Sequence, residues 1–341
     1  MTDRAYWISM LALLSGLLGL QFVSLGLGSV PVSFQSVVAF LRYGEDSGLP
    51  ISEQIILGEL RMPRILLAAL VGAGLAGAGA AYQGLFRNPL ADPFVIGASS
   101  GAALGAALAV VAGLTWSAGG FQAIPLAAFV GTFGAVLLVF SLGGVGAQSS
   151  ALTLLLAGAA VSTILSAAVS FLMLVDDQSM RVIFSWLLGG FSGRSWQHLQ
   201  TGTPYILGGL VFIQLLSRRL DALSLGEESA RTLGMSLFTT RILVVAAASL
   251  TTAAAVSLAG VIGFVGLLAP HAARLMFGGN HVRLIPASAL LGAILLVVAD
   301  NLARMVLAPV EVPVGIVMAL AGGPFFLYLL KTRIHTLGGT S

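Results

Sequence analysis

The glycine spacing at residues 72–77 is the first pattern in the sequence that could carry chemistry. Gly72-Ala73-Gly74-Leu75-Ala76-Gly77 matches the G-x-G-x-x-G fingerprint of dinucleotide-binding folds, and Asp92 lies twenty residues after Gly72. That fingerprint needs a preceding strand and a helix start that is open to water. Here the glycines lie inside a continuous apolar stretch, where small residues let membrane helices approach each other closely. We therefore interpret the run as a helix-packing surface.

A second pattern, Gly97-Ala98-Ser99-Ser100-Gly101, matches the G-x-S-x-G nucleophile elbow. A serine at such a turn needs a positioned base before it can act as a nucleophile, as in intramembrane serine proteases. The chain has four histidines, and all of them fall in loops or near the ends of apolar runs: His198, His271, His281 and His335. They are also too few and too dispersed to predict a metal centre. We favour a helix-entry turn and keep the protease, which a serine-reactive label on Ser99 would support, as a rival hypothesis.

An energy source is missing from the chain itself. No G-x-x-x-x-G-K-[ST] phosphate-binding loop is present, because the single lysine, Lys331, follows two leucines. The apolar runs also lack Asp, Glu, Lys and Arg near their midpoints, whereas ion-coupled carriers usually have such groups or broken helices at mid-depth. If ATP drives this protein, another chain must bind it. An ion-coupled secondary carrier remains the alternative.

The composition predicts a membrane protein. Hydrophobic residues make up 57% of the 341-residue chain and charged residues only 9%, against about 25% charged residues in a typical soluble domain. Forty-three glycines fit closely packed membrane helices. The chain has no cysteine, which excludes disulfides and thiolate metal sites, and its scattered basic residues predict no nucleic-acid surface.

Runs of roughly 20 apolar residues, the length that a membrane span needs, divide the chain into about ten predicted transmembrane helices. We expect an all-α polytopic fold in which residues 1–341 form one transmembrane domain, with the first run kept as a helix rather than removed as a signal peptide. The predicted spans are about 7–29, 63–84, 94–113, 122–142, 151–174, 202–217, 241–258, 260–277, 284–305 and 313–331.

The distribution of Arg and Lys predicts the orientation. With both termini inside, ten basic residues fall in inside loops and six in outside loops, which favours an N-in, C-in topology by the positive-inside rule. Residues 30–60 then form a long polar outside loop. Residues 218–240 form the longest polar inside segment, and its amphipathic spacing predicts a short helix at the membrane surface.

Several motifs in order resemble the permease family of binding-protein-dependent ABC importers for iron–siderophore complexes, haem and cobalamin, the FecCD type, which includes the vitamin B12 importer. The resemblance extends over nearly all of the chain from residue 61 onward. The motifs are Arg61-Met62-Pro63-Arg64, Asn88-Pro89-Leu90-Ala91-Asp92-Pro93, Trp186-Leu187-Leu188-Gly189-Gly190-Phe191, Leu225–Gly234, Gly263–Leu267 with Pro270-His271, Ala299–Arg304, and Pro313–Gly315.

The resemblance implies a type II ABC importer permease fold and a set of partners. The expected assembly is a homodimer in the bacterial cytoplasmic membrane, with two ATP-binding cassette subunits inside and a soluble substrate-binding protein outside. ATP and Mg²⁺ would be bound by the partner ATPase, and this chain would hold no cofactor or metal. Family members carry ferric siderophores, haem or cobalamin, and the sequence does not choose among these cargoes.

The resemblance also implies site residues at both faces. The family's coupling helices seat in a groove of the ATPase, and they match residues within 218–240 of this chain. Glu227, Glu228 and Arg231 would pair with the ATPase, and Leu225, Ala230 and Leu233 would fill its groove. Gly226 and Gly234 bound the motif. Outside, Arg61, Arg64 and Arg304 match arginines that receive glutamates of the binding protein, although they could instead anchor helix ends at the headgroups. Asp300, one helical turn before Arg304, could hold that arginine by an intrahelical pair. The inner gate corresponds to Asn88 and Leu90, with Gln148, Ser149 and Ser150 as a weaker match.

Overall fold

The computed structural model describes residues 2–114, 116–118, 121–143, 151–174 and 177–338. This part of the chain is helical apart from a two-stranded antiparallel hairpin, β1 (Ser117–Ala118) and β2 (Phe121–Gln122). The α-helices are α1 (Asp3–Gly26), α2 (Phe34–Tyr43), α3 (Ile51–Ile55), α4 (Met62–Leu85), α5 (Ala98–Val111), α6 (Ala123–Gly143), α7 (Ala151–Met173), α8 (Asp177–Leu187), α9 (Trp196–Leu215), α10 (Ser217–Ser224), α11 (Glu227–Thr232), α12 (Leu237–Ala259), α13 (Val265–Phe277), α14 (His281–Met305) and α15 (Val314–Gly338).

Each of the ten predicted spans falls on one helix of the described residues: α1, α4, α5, α6, α7, α9, α12, α13, α14 and α15. Six helical stretches within the described ranges are long and apolar enough to cross a membrane, and α5, α13 and α15 are shorter apolar helices. The helix α9 completes the set, although it begins with the polar residues Gln197 and His198. The prediction of an all-helical polytopic fold with about ten spans is confirmed.

The helix α4 lies at the centre of the bundle. It packs against α9, α12, α13 and α14, and most of its residues are buried. Gly72 makes the crossing with α14 possible, because a Cβ atom there would lie 2.3 Å from the carbonyl oxygen of Gly292. Gly74 and Gly77 pack in the same way against α9, through Ile206 and Leu210. The helix-packing interpretation of the glycine run is therefore confirmed.

The stretch that was expected to be a polar loop, residues 30–60, is largely helical. The helix α2 is amphipathic, and its N-cap Ser33 accepts a hydrogen bond from the backbone N–H of Ser36. The helix α3 continues through a π-helical turn, Ile56–Arg61, into α4. Pro63 explains that turn, because it has no N–H to donate to the preceding turn and the ladder widens to compensate.

The predicted helix at residues 218–240 is two short helices, α10 and α11. They are separated at Leu225 and Gly226, where Gly226 has a φ of +110°, a conformation that favours glycine. Ala230 and Leu220 are buried against the bundle, so both helices lie on its end rather than apart from it.

The helices α12 and α13 are separated by an extended segment, residues 260–264, that contacts two other connections. The N–H of Gly190 donates to the carbonyl oxygen of Ala259 at 2.7 Å. Gly315 lies so close to Leu188 that a Cβ atom would be 2.2 Å from the Leu188 oxygen. These backbone contacts fix the connection between α8 and α9, which carries several polar side chains of the site.

Candidate functional site

The helix pair α4 and α14 carries polar clusters at both of its ends. The helix α14 has 25 residues, a length of about 37 Å at 1.5 Å per residue. We call one end of the bundle the arginine end, because Arg64 of α4 and Asp300 and Arg304 of α14 meet there. The opposite end is the α11 end, where α10 and α11 lie against His281, the first residue of α14.

A buried ion-pair cluster closes the arginine end. Arg64 donates to Asp300 from Nε at 3.0 Å and from Nη2 at 2.9 Å, and its Nη1 donates to both oxygens of Glu311 at 2.9 and 2.8 Å. Ser192 donates to Glu311 as well. Arg304 Nε lies 3.2 Å from Asp300 Oδ2, so the predicted intrahelical pair is confirmed. One carboxylate of α14 thus holds arginines from two helices.

Arg61, a third arginine of this end, is held by backbone carbonyl groups. Arg61 Nη1 donates to the oxygen of Leu25 at 2.6 Å, and Nη2 donates to the oxygen of Val30. Arg304 Nη1 donates similarly to the oxygen of Leu27 at 3.0 Å. These contacts fix the end of α1 and the following turn onto α4 and α14.

The predicted docking arginines, Arg61, Arg64 and Arg304, are therefore buried and already partnered. They line an open cleft of about 470 Å³ at the arginine end, together with Glu59 and Glu311. Their docking role stays a prediction. The structure adds that an incoming carboxylate would compete with Asp300 and Glu311 for the same N–H groups.

Glu311 is the exposed member of the cluster and lies in the connection between α14 and α15. Burial of its carboxyl group favours the neutral form, but the hydrogen bonds from Ser192 and Arg64 outweigh this effect and lower the pKa of Glu311. It is therefore a carboxylate at neutral pH. Its charge bridges α4 and the connection that precedes α9.

The α11 end presents two exposed leucines. Leu225 and Leu233 are 70% and 68% exposed, at the two ends of α11, and Glu228 and Arg231 are exposed between them. This arrangement suits the predicted contact with an ATPase groove. Two other residues of the predicted set, Ala230 and Glu227, contact the bundle.

Ala230, which was expected to fill the groove, is fully buried in the same cluster as Leu223 and Leu237, so its side chain packs on the bundle instead. Glu227 was expected to pair with the ATPase. Its Oε1 accepts from Arg241 Nη2 at 2.8 Å, because α11 folds back onto the start of α12, but the side chain is still 33% exposed. Its pairing with the ATPase stays a prediction.

A contact that the sequence does not predict ties α10 to α14. Asp221 Oδ1 accepts from the backbone N–H of His281 at 2.6 Å and lies 2.8 Å from His281 Nδ1. The ring of His281 packs against the end of α4, where a Cβ atom on Gly84 would lie 2.4 Å from Nε2. Sixty residues separate the two partners in the chain, and no local pattern marks either of them.

The predicted gate residues are described only in part. Asn88 Oδ1 accepts from the N–H of Leu90 at 3.0 Å, so the two residues shape one tight turn after α4. In the same loop, burial raises the pKa of Asp92 to about 6 despite a hydrogen bond from the Phe94 N–H. Gln148, Ser149 and Ser150 lie outside the described residues.

Within the part of the chain that the structure describes, the serine turn has no base beside it. Ser99 lies in the first turn of α5, and no hydrogen bond among the described residues joins it to a histidine. The described residues also hold no group of three or more His, Asp or Glu side chains that could bind a metal ion. The residues that cluster are instead the charged groups at the two ends of α4 and α14.

Comparison with known proteins decides the family. Residues 16–332 match the model of the FecCD transport family. The chain belongs to this family. It is 45% identical to the cobalamin import system permease protein of Halobacterium salinarum over 84% of this chain and 76% of the relative. It is 40% identical to an Fe(3+)-citrate import system permease protein of Bacillus subtilis over 92% of each chain.

Two further relatives agree with this result. The chain is 39% identical to the hemin transport system permease protein of Yersinia pestis over 82% of this chain and 84% of the relative. A solved structure assigned to a metal-chelate type ABC transporter, in an inward-facing conformation, superposes with a TM-score of 0.81 at 33% identity, over 95% of this chain and 98% of that one. This member of the FecCD family is therefore a multi-pass membrane transport permease and not an enzyme.

Proposed function

We propose that this chain is the permease subunit of an ABC importer that moves a bulky metal chelate across the cytoplasmic membrane. Two copies form the pathway, two ATP-binding cassette subunits bind the α11 ends, and a substrate-binding protein docks at the arginine ends. The α11 end faces the cytoplasm and the arginine end faces outside, so both termini lie inside.

The exposed pair Leu225 and Leu233 is the observation that carries this proposal. The two side chains project from short helices at the end of the bundle, while Ala230 and Glu227 hold the other side of α11 in place. Exposed leucines on a fixed helix suit a hydrophobic groove in a partner protein. We therefore assign α10 and α11, within the predicted range 218–240, as the coupling helices.

The Asp221–His281 contact supports a mechanical link from these helices to the opposite end. Movement of α10 is transmitted to α14 through Asp221, and α14 is packed tightly on α4 by Gly72 and Gly292. The same two helices carry the arginine cluster. Closure of the ATPase would thereby move the outer mouth as a rigid-body change.

The cargo class follows from the relatives. The names of three relatives give cobalamin, ferric citrate and hemin as their substrates, whereas a fourth relative, 36% identical, is a molybdate import system permease protein. The proposal follows the first three. All three are metal complexes, which supports a ferric siderophore or similar iron chelate, haem or cobalamin as the substrate of this chain. Selection among them rests largely with the binding protein.

Co-purification with the partner ATPase tests the coupling assignment. The double variant Leu225→Ala, Leu233→Ala should weaken the complex by at least about tenfold, because each leucine that becomes buried contributes about 1.5–3 kcal/mol. The control Leu11→Ala, Leu18→Ala changes two exposed leucines of α1 and should leave the complex intact. Equal recovery of the ATPase with both double variants would reject the coupling role of α11.

A further inference from the structure

Arg194, in the connection between α8 and α9, differs from the other arginines of its end. Burial lowers the pKa of its guanidinium group, and no nearby carboxylate opposes that effect. Among the described residues, Asp300 and Glu311 pair with Arg64, Asp300 also lies beside Arg304, and backbone carbonyl groups hold Arg61, whereas Arg194 has neither kind of partner.

The close contact of Arg194 with His198 supplies at most one acceptor. Arg194 Nη1 lies 3.2 Å from His198 Nε2, and the backbone N–H of Ser195 points at Nδ1 of the same ring at 3.3 Å. A neutral imidazole carries an accepting lone pair on one nitrogen only, so the ring accepts from one of these two donors and not from both.

Arg194 is half-buried and has at most this one acceptor among the described residues. Its Nε atom is fully buried and has no hydrogen-bond partner there. A buried donor without an acceptor costs about 1–3 kcal/mol, and more when it is charged. Such a group is expected where a ligand supplies the missing acceptor.

The cavities around Arg194 show where such a ligand would lie. Arg194 lines the open cleft of the arginine end and also a second cavity of about 330 Å³. The two cavities share Arg64, Ser192 and Glu311, so Arg194 lies where they meet. Trp186 lines the second cavity, and its indole Nε1 is likewise buried without an acceptor.

The walls of the second cavity are otherwise largely apolar, with Val182, Ile183 and Val314 among them. A ligand that fits both features has an apolar body and at least one anionic group. The carboxylate and phosphate groups of anionic metal chelates have this chemistry, and a planar guanidinium group pairs well with either of them.

We propose that Arg194 is the centre of an anion-binding site that takes a carboxylate or phosphate group of the transported chelate, with Trp186 Nε1 as a second donor. The proposal rests on the proposed function for the origin of the anion. A carboxylate of the docked binding protein has the same chemistry, and the experiment separates the two sources.

Equilibrium dialysis of the chain in lipid nanodiscs against radiolabelled citrate and ferric citrate tests the site. The wild-type chain should bind citrate saturably at low ionic strength. Arg194→Gln should weaken binding at least about tenfold, the loss expected for one charge-assisted hydrogen bond. Arg194→Lys should keep part of the affinity, which separates loss of the charge from misfolding.

Arg181→Gln is the matched control, because Arg181 is an exposed arginine of the neighbouring helix α8 and its replacement removes the same charge. It should leave citrate binding unchanged, whereas Trp186→Phe should weaken it several-fold. The site is overturned if the wild-type chain binds no citrate saturably, or if Arg194→Gln and Arg181→Gln bind it equally well.

The affinity of the cargo-free binding protein identifies the source of the anion. Unchanged docking to Arg194→Gln supports the chelate as the source. Docking that falls as much as citrate binding overturns that assignment in favour of a carboxylate of the binding protein. Citrate binding needs neither ATPase nor binding protein, so this test can fail while ATP-dependent uptake, which tests the proposed function, succeeds.

Discussion

Replacement of Asp300 by Asn should destabilise the protein more than any other single neutralisation at the arginine end. The Asp300 side chain is 1% exposed, accepts hydrogen bonds from Nε and Nη2 of Arg64, and forms an ion pair with Arg304, whose Nε lies 3.2 Å from Oδ2. Asparagine keeps the shape but removes the charge. The two buried guanidinium groups would then have Glu311 as their nearest remaining carboxylate.

The size of the effect follows from burial. Removal of one partner from a buried ion pair typically costs about 3–5 kcal/mol, because it leaves an uncompensated charge. Glu311→Gln removes the same charge from the same cluster, but the Glu311 side chain is 32% exposed. Its loss should cost only about 1–2 kcal/mol, since water can solvate the freed N–H groups of Arg64.

Reversible unfolding in mixed micelles, followed by circular dichroism, measures both changes in the free energy of unfolding. Asp300→Asn should lower it by at least about twice as much as Glu311→Gln, on the estimates for buried and half-exposed pairs. If the Glu311→Gln variant loses as much stability as Asp300→Asn, then Asp300 does not organise the cluster.

Three further predictions concern packing, pH and the link between the two ends. Gly72→Ala should cost about 1–3 kcal/mol of unfolding free energy, because its Cβ would overlap the Gly292 backbone. The control Gly134→Ala should be tolerated, because Gly134 has no neighbour within 4 Å. Equal losses of stability in the two variants would contradict the tight crossing of α4 and α14. The folded-state pKa of Glu311 is lowered, so the ionised carboxylate should stabilise the fold fully above the ordinary pKa near 4.5. This contribution should be lost as the pH falls through the lower folded-state pKa. A difference in stability between wild type and Glu311→Gln that persists unchanged at pH 3 would refute this pH dependence. Asp221→Asn should reduce the stimulation of ATPase activity by the binding protein while the ATPase still co-purifies; unchanged stimulation would exclude the link to His281.

The sequence predicted the spans well because each is a continuous apolar run, and the bilayer thickness sets the length of such a run. It also predicted the Asp300–Arg304 pair, since residues four apart share a helix face. The amphipathic spacing of α2, with Val37 buried and Ser33 as its N-cap, was a signal that could have replaced the predicted loop by a helix.

Other features could not be read from one sequence. The pair between Arg64 and Asp300 joins residues 236 positions apart, and nothing local to either residue identifies the other. Helical spacing in α11 groups Ala230 and Glu227 by face but does not say which face the bundle covers. The missing acceptor of Arg194 Nε depends on the folded contacts of the connection between α8 and α9, and no local pattern in the sequence marks it.

Uptake by proteoliposomes tests most directly the claim that a separate ATPase drives this chain. The chain would be reconstituted with its ATPase and with binding protein loaded in turn with cobalamin, ferric citrate or haem. The account predicts uptake of at least one chelate when ATP is hydrolysed on the ATPase side, and none with a non-hydrolysable ATP analogue. Uptake that continues without ATP and collapses when the ion gradient is removed would contradict it.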